Sequence, residues 1–240
     1  MATSLWTGHW RGRAPAGDTH RRSREVISPS GGIMRCKFPS RKNGRLVHCE
    51  RLLELDAAYL FETNHRVASF REQPITITYP DGARLRRYTP DFELTLANGL
   101  IVWVEIKPLS SLARAEVQHK VARVAEHMAR IQQPFVVLND TLLRQEPRRT
   151  NLQAIYHRAS PQPRTVQASE AALRRCSHRL PAGLTDATQA LAAAGLEPYS
   201  LLLAGALRCD LSAPLTADTL ITINREDDDG WFRLSEEFDF

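Results

Sequence analysis

The sequence has no apolar run long enough to cross a bilayer, and its first residues lack the apolar core of a secretory signal. A membrane protein or an exported one is therefore not expected. Cysteine is scarce and scattered. Cys36, Cys49, Cys176 and Cys209 form no CxxC pair. This excludes a zinc ribbon and a disulfide framework, and it reads as free thiols in a reducing compartment. No internal repeat is evident, so a solenoid is excluded as well. What remains is ordinary for a soluble globular chain: 240 residues, 42% hydrophobic and 25% charged. That length suits one mid-sized domain with an appendage, or two small domains.

The net charge of +5 is unevenly spread. Residues 1–48 carry ten Lys/Arg against Asp18 and Glu25, and residues 225–240 carry seven acids against Arg225 and Arg233. The basic arm, 1–33, is read as weakly ordered and directed at a polyanion, most simply nucleic acid. The acidic tail, 225–240, cannot bind DNA. It is read as docking a basic partner or as a solvated end.

The chain is organised around Tyr88–Pro108. Phe92, Leu94 and Leu96 alternate with polar residues, which is the period of a half-buried strand. Asn98-Gly99 predicts a tight hairpin turn of type I′. Leu100–Val104 is a β-rich apolar run, expected to be buried on both faces. Asp91 then opens one strand, while Glu105 and Lys107 lie two apart at the end of its partner and face the same way. Two carboxylates and an amine converge. Such a pair of acids can hold Mg²⁺, and Lys107 could orient or deprotonate an attacking water, or stabilise a phosphoryl transition state. The structural alternative is an edge aspartate, a solvated glutamate and an extended lysine.

Around this hairpin the order of elements is α/β. Leu53, Ala57 and Leu60/Phe61 predict a helix from about Val47 to Glu62. Glu50 and Glu54 fall on one of its faces, and a carboxylate beside Leu53 and Ala57 needs a metal or a cation. Glu54 is the candidate third acid, against the reading of a solvated helix glutamate. Ile75–Tyr79 and Arg84–Tyr88 read as strands across a turn at Pro80-Asp81-Gly82. Arg84, Arg86 and Arg87 either face phosphates or guard a sheet edge. A helix over about 112–132 followed by a strand at 134–138 predicts a right-handed crossover and a parallel pair beside the hairpin, hence a mixed sheet. His119 and His127 on that helix have no ligand partner in register and are read as surface residues. Short helices follow at 141–143 and 151–158.

The expected domains are 34–160 for the α/β core, a linker at 161–167 and a small module at 168–224. In the module, helices at 168–176, 186–194 and 198–206 and a strand pair at 207–211 and 219–223 read as helix-turn-helix with a wing. The helix from Pro198 has no Arg, Lys, Asn or Gln, so it cannot read bases. The module is expected to pack or to contact protein.

Glu54 on an early helix, Pro90-Asp91 on a strand and Glu105-Ile106-Lys107 together resemble the PD-(D/E)xK superfamily. The wider stretches His48–Asp56, Phe70–Pro74, Tyr88–Phe92 and Val104–Pro108 resemble the N-terminal nuclease domain of the TnsA family, from about Met34 to Arg158. The resemblance implies a restriction-endonuclease-like mixed β-sheet core flanked by helices, with a small winged-helix-like C-terminal module. It implies that Glu54, Asp91 and Glu105, with the Ile106 carbonyl, surround Mg²⁺ (Mn²⁺ can substitute), that Lys107 assists the water, and that Gln73 orients the site. Glu50 remains the alternative helix ligand. It implies a cytoplasmic endonuclease subunit that cuts the 5′ ends of a transposon in double-stranded DNA beside a DDE-type transposase and an AAA+ regulator. A stand-alone restriction or repair nuclease and a non-catalytic assembly factor are the rival readings.

Overall fold

The computed structural model describes residues 20, 23, 36–160, 166–224 and 234–240. Most of the arm 1–33, residues 161–165 of the linker expected at 161–167, whose last two residues are already helical, and residues 225–233 of the acidic tail lie outside the described residues. The described residues form two compact units. The first holds those up to Glu62, Arg66–Arg144 and Leu234–Phe240. The second holds Thr63–His65 and those from Gln145 to Asn224.

In the first unit a hairpin, β1 (Cys36–Ser40) and β2 (Arg45–Cys49), precedes α1 (Leu52–Thr63). The stretch from Val47 is thus a strand rather than the start of a helix. Arg45, Val47 and Cys49 are buried in alternation, the strand period. Next come β3 (Val67–Glu72), β4 (Ile77–Asp81), β5 (Arg84–Tyr88), β6 (Phe92–Leu96) and β7 (Ile101–Ile106). Two helices, α2 (Leu109–Leu112) and α3 (Ala115–Arg130), lead to β8 (Phe135–Leu138) and α4 (Asp140–Leu143). The predicted helix at 112–132 is therefore broken near its start.

The main sheet has the order β3-β6-β7-β8. Its first two pairs are antiparallel and β7–β8 is parallel, the mixed sheet that the crossover predicts. The hairpin turn differs from type I′. Gly99 alone has positive φ (87°), and its N–H donates to the Leu96 carbonyl at 2.9 Å. The Asn98 carboxamide oxygen instead accepts from Leu100 N–H at 2.9 Å. This is a turn closed by a left-handed glycine, which leaves the register intact.

Each face of the sheet is covered. On one face Phe61 of α1 meets Phe92 and Phe70 edge-on, with centroids 5.4 and 5.7 Å away. On the other, Trp103, Tyr79 and Tyr88 pack with Val124 and Met128 of α3. A buried bidentate pair, Arg45 to Glu72 at 3.0 and 2.7 Å, ties β2 to β3. Burial works to raise the Glu72 carboxyl, but the Arg45 hydrogen bonds and charge outweigh it and hold the group below its ordinary value. Asp239 near the end of the chain pairs with Arg66.

The second unit contains α5 (Arg148–Arg158), α6 (Val166–Cys176), β9 (Ala182–Gly183), α7 (Leu184–Ala192), α8 (Pro198–Leu203), β10 (Leu207–Arg208) and β11 (Leu220–Ile223). Its sheet has the order β10-β11-β9, with α5 and α6 before β9 and α7 and α8 between β9 and β10. Helix α8 buries Pro198, Leu201 and Leu202. Asn151 anchors the wing, its carboxamide donating to the Leu211 and Ala213 carbonyls at 3.1 and 2.8 Å. The four cysteines are free thiols. No helix among the described residues is long and apolar enough to cross a membrane.

Candidate active site

The register of β6 and β7 builds the centre of the site. Phe92 pairs with Val104, so one step further Asp91 stands opposite Glu105 on the face that also carries Trp103. The Ile106 N–H donates to Asp91 Oδ2 at 2.7 Å. The Lys107 ammonium then reaches three oxygens: Glu105 Oε1 at 2.5 Å, the Ile106 carbonyl at 3.2 Å and Asp91 Oδ2 at 3.5 Å. Strand pairing alone has thus gathered Asp91, Glu105, Ile106 and Lys107 around one point.

Glu54 joins from the first turn of α1. It is buried, and its Oε2 accepts the Glu50 N–H at 2.7 Å. Glu50 precedes α1, so the four-residue helical spacing assumed for the two acids does not apply. Glu50 Oε1 takes the Gln73 amide at 3.2 Å instead.

The electrostatics follow from three acids facing one ammonium. Burial, and then the charge of Asp91, push Glu54 up to about 8. Burial, and then Glu105, push Asp91 up to about 7, although Lys107 and the Ile106 N–H pull the other way. Burial works against the Lys107 cation, yet the charges of Asp91 and Glu105 outweigh it and raise its pKa. The site lacks positive charge.

Among the described residues no three His, Cys, Asp or Glu side chains are arranged to hold a metal ion as they stand. Mg²⁺ asks for less than such a cage. It commonly uses one or two carboxylates and fills its remaining positions with water and phosphate. Asp91, Glu105 and the Ile106 carbonyl present oxygens to a common point that a cation, the ammonium, already occupies. The donor set and the unbalanced negative charge suit a hard divalent ion.

Two residues of the site escape a reading of composition and period. Tyr88 is buried and donates its hydroxyl to Glu105 Oε2 at 2.7 Å, fixing that carboxylate from the far side. Its own ionisation is pushed well up, by burial and then by Glu105. The only hint was its place three residues before Asp91. Gln73 has a left-handed backbone (φ 44°), donates its N–H to the Asp91 carbonyl at 2.9 Å, and keeps a buried Oε1 with no hydrogen-bond partner among the described residues. Its carbonyl receives both the N–H and the hydroxyl of Ser23 at 3.1 Å. By contrast, Glu93 is a structural acid that takes Trp103 Nε1 at 2.9 Å and Arg71 at 2.7 Å.

A search of curated proteins finds no match. Residues 64–140 match the family described as TnsA-like endonuclease N terminal. That span contains Gln73, Tyr88, Asp91, Glu105 and Lys107, and it begins after Glu54. Over residues 64–140, which hold all of the site but Glu54, this chain is therefore similar to the N-terminal part of TnsA-like endonucleases.

Proposed function

We propose that the chain is the Mg²⁺-dependent endonuclease subunit of a heteromeric transposase, hydrolysing a phosphodiester at the 5′ ends of a transposon. The observation that carries this reading is the set of oxygens from Asp91, Glu105 and Ile106 around the Lys107 ammonium. When bound by these groups with Glu54 alongside, Mg²⁺ supplies charge neutralisation at the phosphate and a water of lowered pKa.

The rest is the work of the chain's own residues. The hydrogen bond from Tyr88 and the strand pairing hold Glu105 and Asp91 in fixed directions. Lys107, raised in pKa, keeps its proton at neutral pH. It therefore acts as a charged donor to the phosphate or the attacking water rather than as a base. Burial of Glu54, Glu105 and Gln73 limits competing water.

Sequence selection falls to the DDE-type transposase, because α8 offers no Arg, Lys, Asn or Gln to base edges. An AAA+ regulator and a cytoplasmic setting complete the reading. The test is a strand-specific cleavage assay on transposon-end duplex with the neighbouring transposase and Mg²⁺. Wild type nicks the 5′ strand. Asp91→Ala and Lys107→Ala, folded as judged by circular dichroism, do not. Cleavage retained by purified Asp91→Ala would sink the assignment.

A further inference from the structure

The hairpin β4–β5 is a separate two-stranded ribbon, outside the main sheet. Its pairing, Ile77 with Tyr88 through Asp81 with Arg84, closes on a two-residue loop whose first position, Gly82, has φ 61°. The base of the ribbon is buried: Tyr79 and Tyr88 sit in the aromatic cluster under α3. The rest of β5 is open. Arg84, Leu85, Arg86 and Arg87 are all exposed, and Leu85 is 77% accessible.

The charges here are only partly neutralised. Arg86 pairs with Asp81 at 2.6 Å, and the same carboxylate meets His119 at 2.7 Å. These two hydrogen bonds, from His119 and then Arg86, hold the Asp81 carboxyl below its ordinary value. Arg84 and Arg87 have no ion-pair partner among the described residues. Strand alternation sends them to opposite faces of the ribbon, with Leu85 on the face of Arg87.

We propose that this ribbon lies along the DNA duplex beside the cut, with the exposed guanidiniums of Arg84 and Arg87 on its phosphates. Three observations favour a duplex over an acidic protein. First, the ribbon runs straight into the site, since Tyr88 ends β5 and bonds Glu105. Second, its reach fits. Arg84 lies four residues before Tyr88, ~13 Å along a strand at ~3.3 Å per residue, and this matches about four base pairs at ~3.4 Å each. Third, the Arg84 and Arg87 guanidiniums are exposed and in no ion pair among the described residues, so both are available to phosphate oxygens. The inference rests on the nuclease reading for where the duplex runs, but its test does not require cleavage.

The experiment uses the full chain in EDTA with a fluorescein-labelled, random-sequence duplex, and follows anisotropy as KCl is raised. Each phosphate contact contributes ~0.9 to the slope of log K against log salt. The pair Arg84→Ala/Arg87→Ala should therefore lower the slope by ~1.8. Between about 50 and about 200 mM KCl, wild type should lose ~12-fold more affinity than this variant. Arg84→Lys/Arg87→Lys should restore the slope, because charge rather than shape sets it. Wild-type affinity and slope in the alanine pair overturn the proposal and make an acidic protein the better occupant. Failure of wild type to bind the duplex also overturns it, while the nuclease reading is decided separately by the cleavage assay with the transposase. Loss of slope in the alanine pair, with a wild type that binds but never cuts, supports the ribbon and removes only the nuclease reading.

Discussion

Metal-free protein should lose stability as pH rises from about 5 to about 7, and Asp91 should be a measurable source of that loss. Burial and the charge of Glu105 push Asp91 from its ordinary 3.8 up to about 7, and burial and the charge of Asp91 hold Glu54 above its ordinary 4.5. A carboxyl with a raised folded pKa contributes stability that is complete below its unfolded value. That stability is lost as pH rises through the folded value. One proton held by the folded but not the unfolded chain gives a slope of ~1.4 kcal/mol per pH unit, which flattens near the folded value, or ~2 kcal/mol between about pH 5 and about pH 7. For a chain of this size that corresponds to roughly 4–8 °C in the melting transition of the unit carrying the site. His20 and Lys42 are lowered by burial and run the other way. The informative quantity is thus the difference between wild type and Asp91→Asn, from which they cancel. Thermal melts in EDTA at a series of pH values should show that difference sloping. Mg²⁺ should raise the wild-type midpoint more at about pH 8 than at about pH 6, because the ion binds the deprotonated acids. A difference that stays flat across this range would refute the claim that the site is starved of positive charge.

Two further outcomes are expected. Tyr88→Phe removes one hydroxyl while keeping the ring against Tyr79 and Phe135. A buried hydrogen bond to a carboxylate is worth ~1.5–3 kcal/mol to the folded state, so the urea midpoint of the first unit should fall by a matching amount, and kcat/KM for nicking should fall roughly tenfold or more as Glu105 loses its fixed direction. Arg45→Met strands the buried Glu72 charge and should destabilise the first unit by ~3–5 kcal/mol in urea unfolding, and Glu72→Leu added to it should recover most of the loss.

The site was legible in the sequence where its parts share a hairpin. Period two in Phe92–Leu96, the Asn98-Gly99 turn and the two-residue spacing of Glu105 and Lys107 are local signals, and strand geometry turns them directly into proximity. The mixed sheet followed from strand, helix and strand in order. The β1–β2 hairpin was missed because five-residue strands are too short to separate period two from the helical pattern that follows. The helix consequently absorbed Val47–Cys49, and Glu50 with it. Tyr88 and Gln73 were out of reach for a different reason. Their roles are hydrogen bonds across 17 and 23 residues, to Glu105 and Glu50, and these exist only once β3, β5 and β7 are in place. Residue type carries no trace of such partners. The resemblance to a nuclease family did single out Gln73, but without a contact to explain it.

The Asn98-Gly99 turn closes the hairpin at the end away from Asp91, with five residues of β6 between them. At ~3.3 Å per residue that is ~16 Å of sheet, and lengthening a solvent loop costs only ~0.6 kcal/mol per doubling. The turn is therefore a natural handle. A fluorophore or short epitope grafted there would ride on the same strands as Asp91 and Glu105 without entering their surroundings, so the proposed binding of a duplex could be watched with the site left intact.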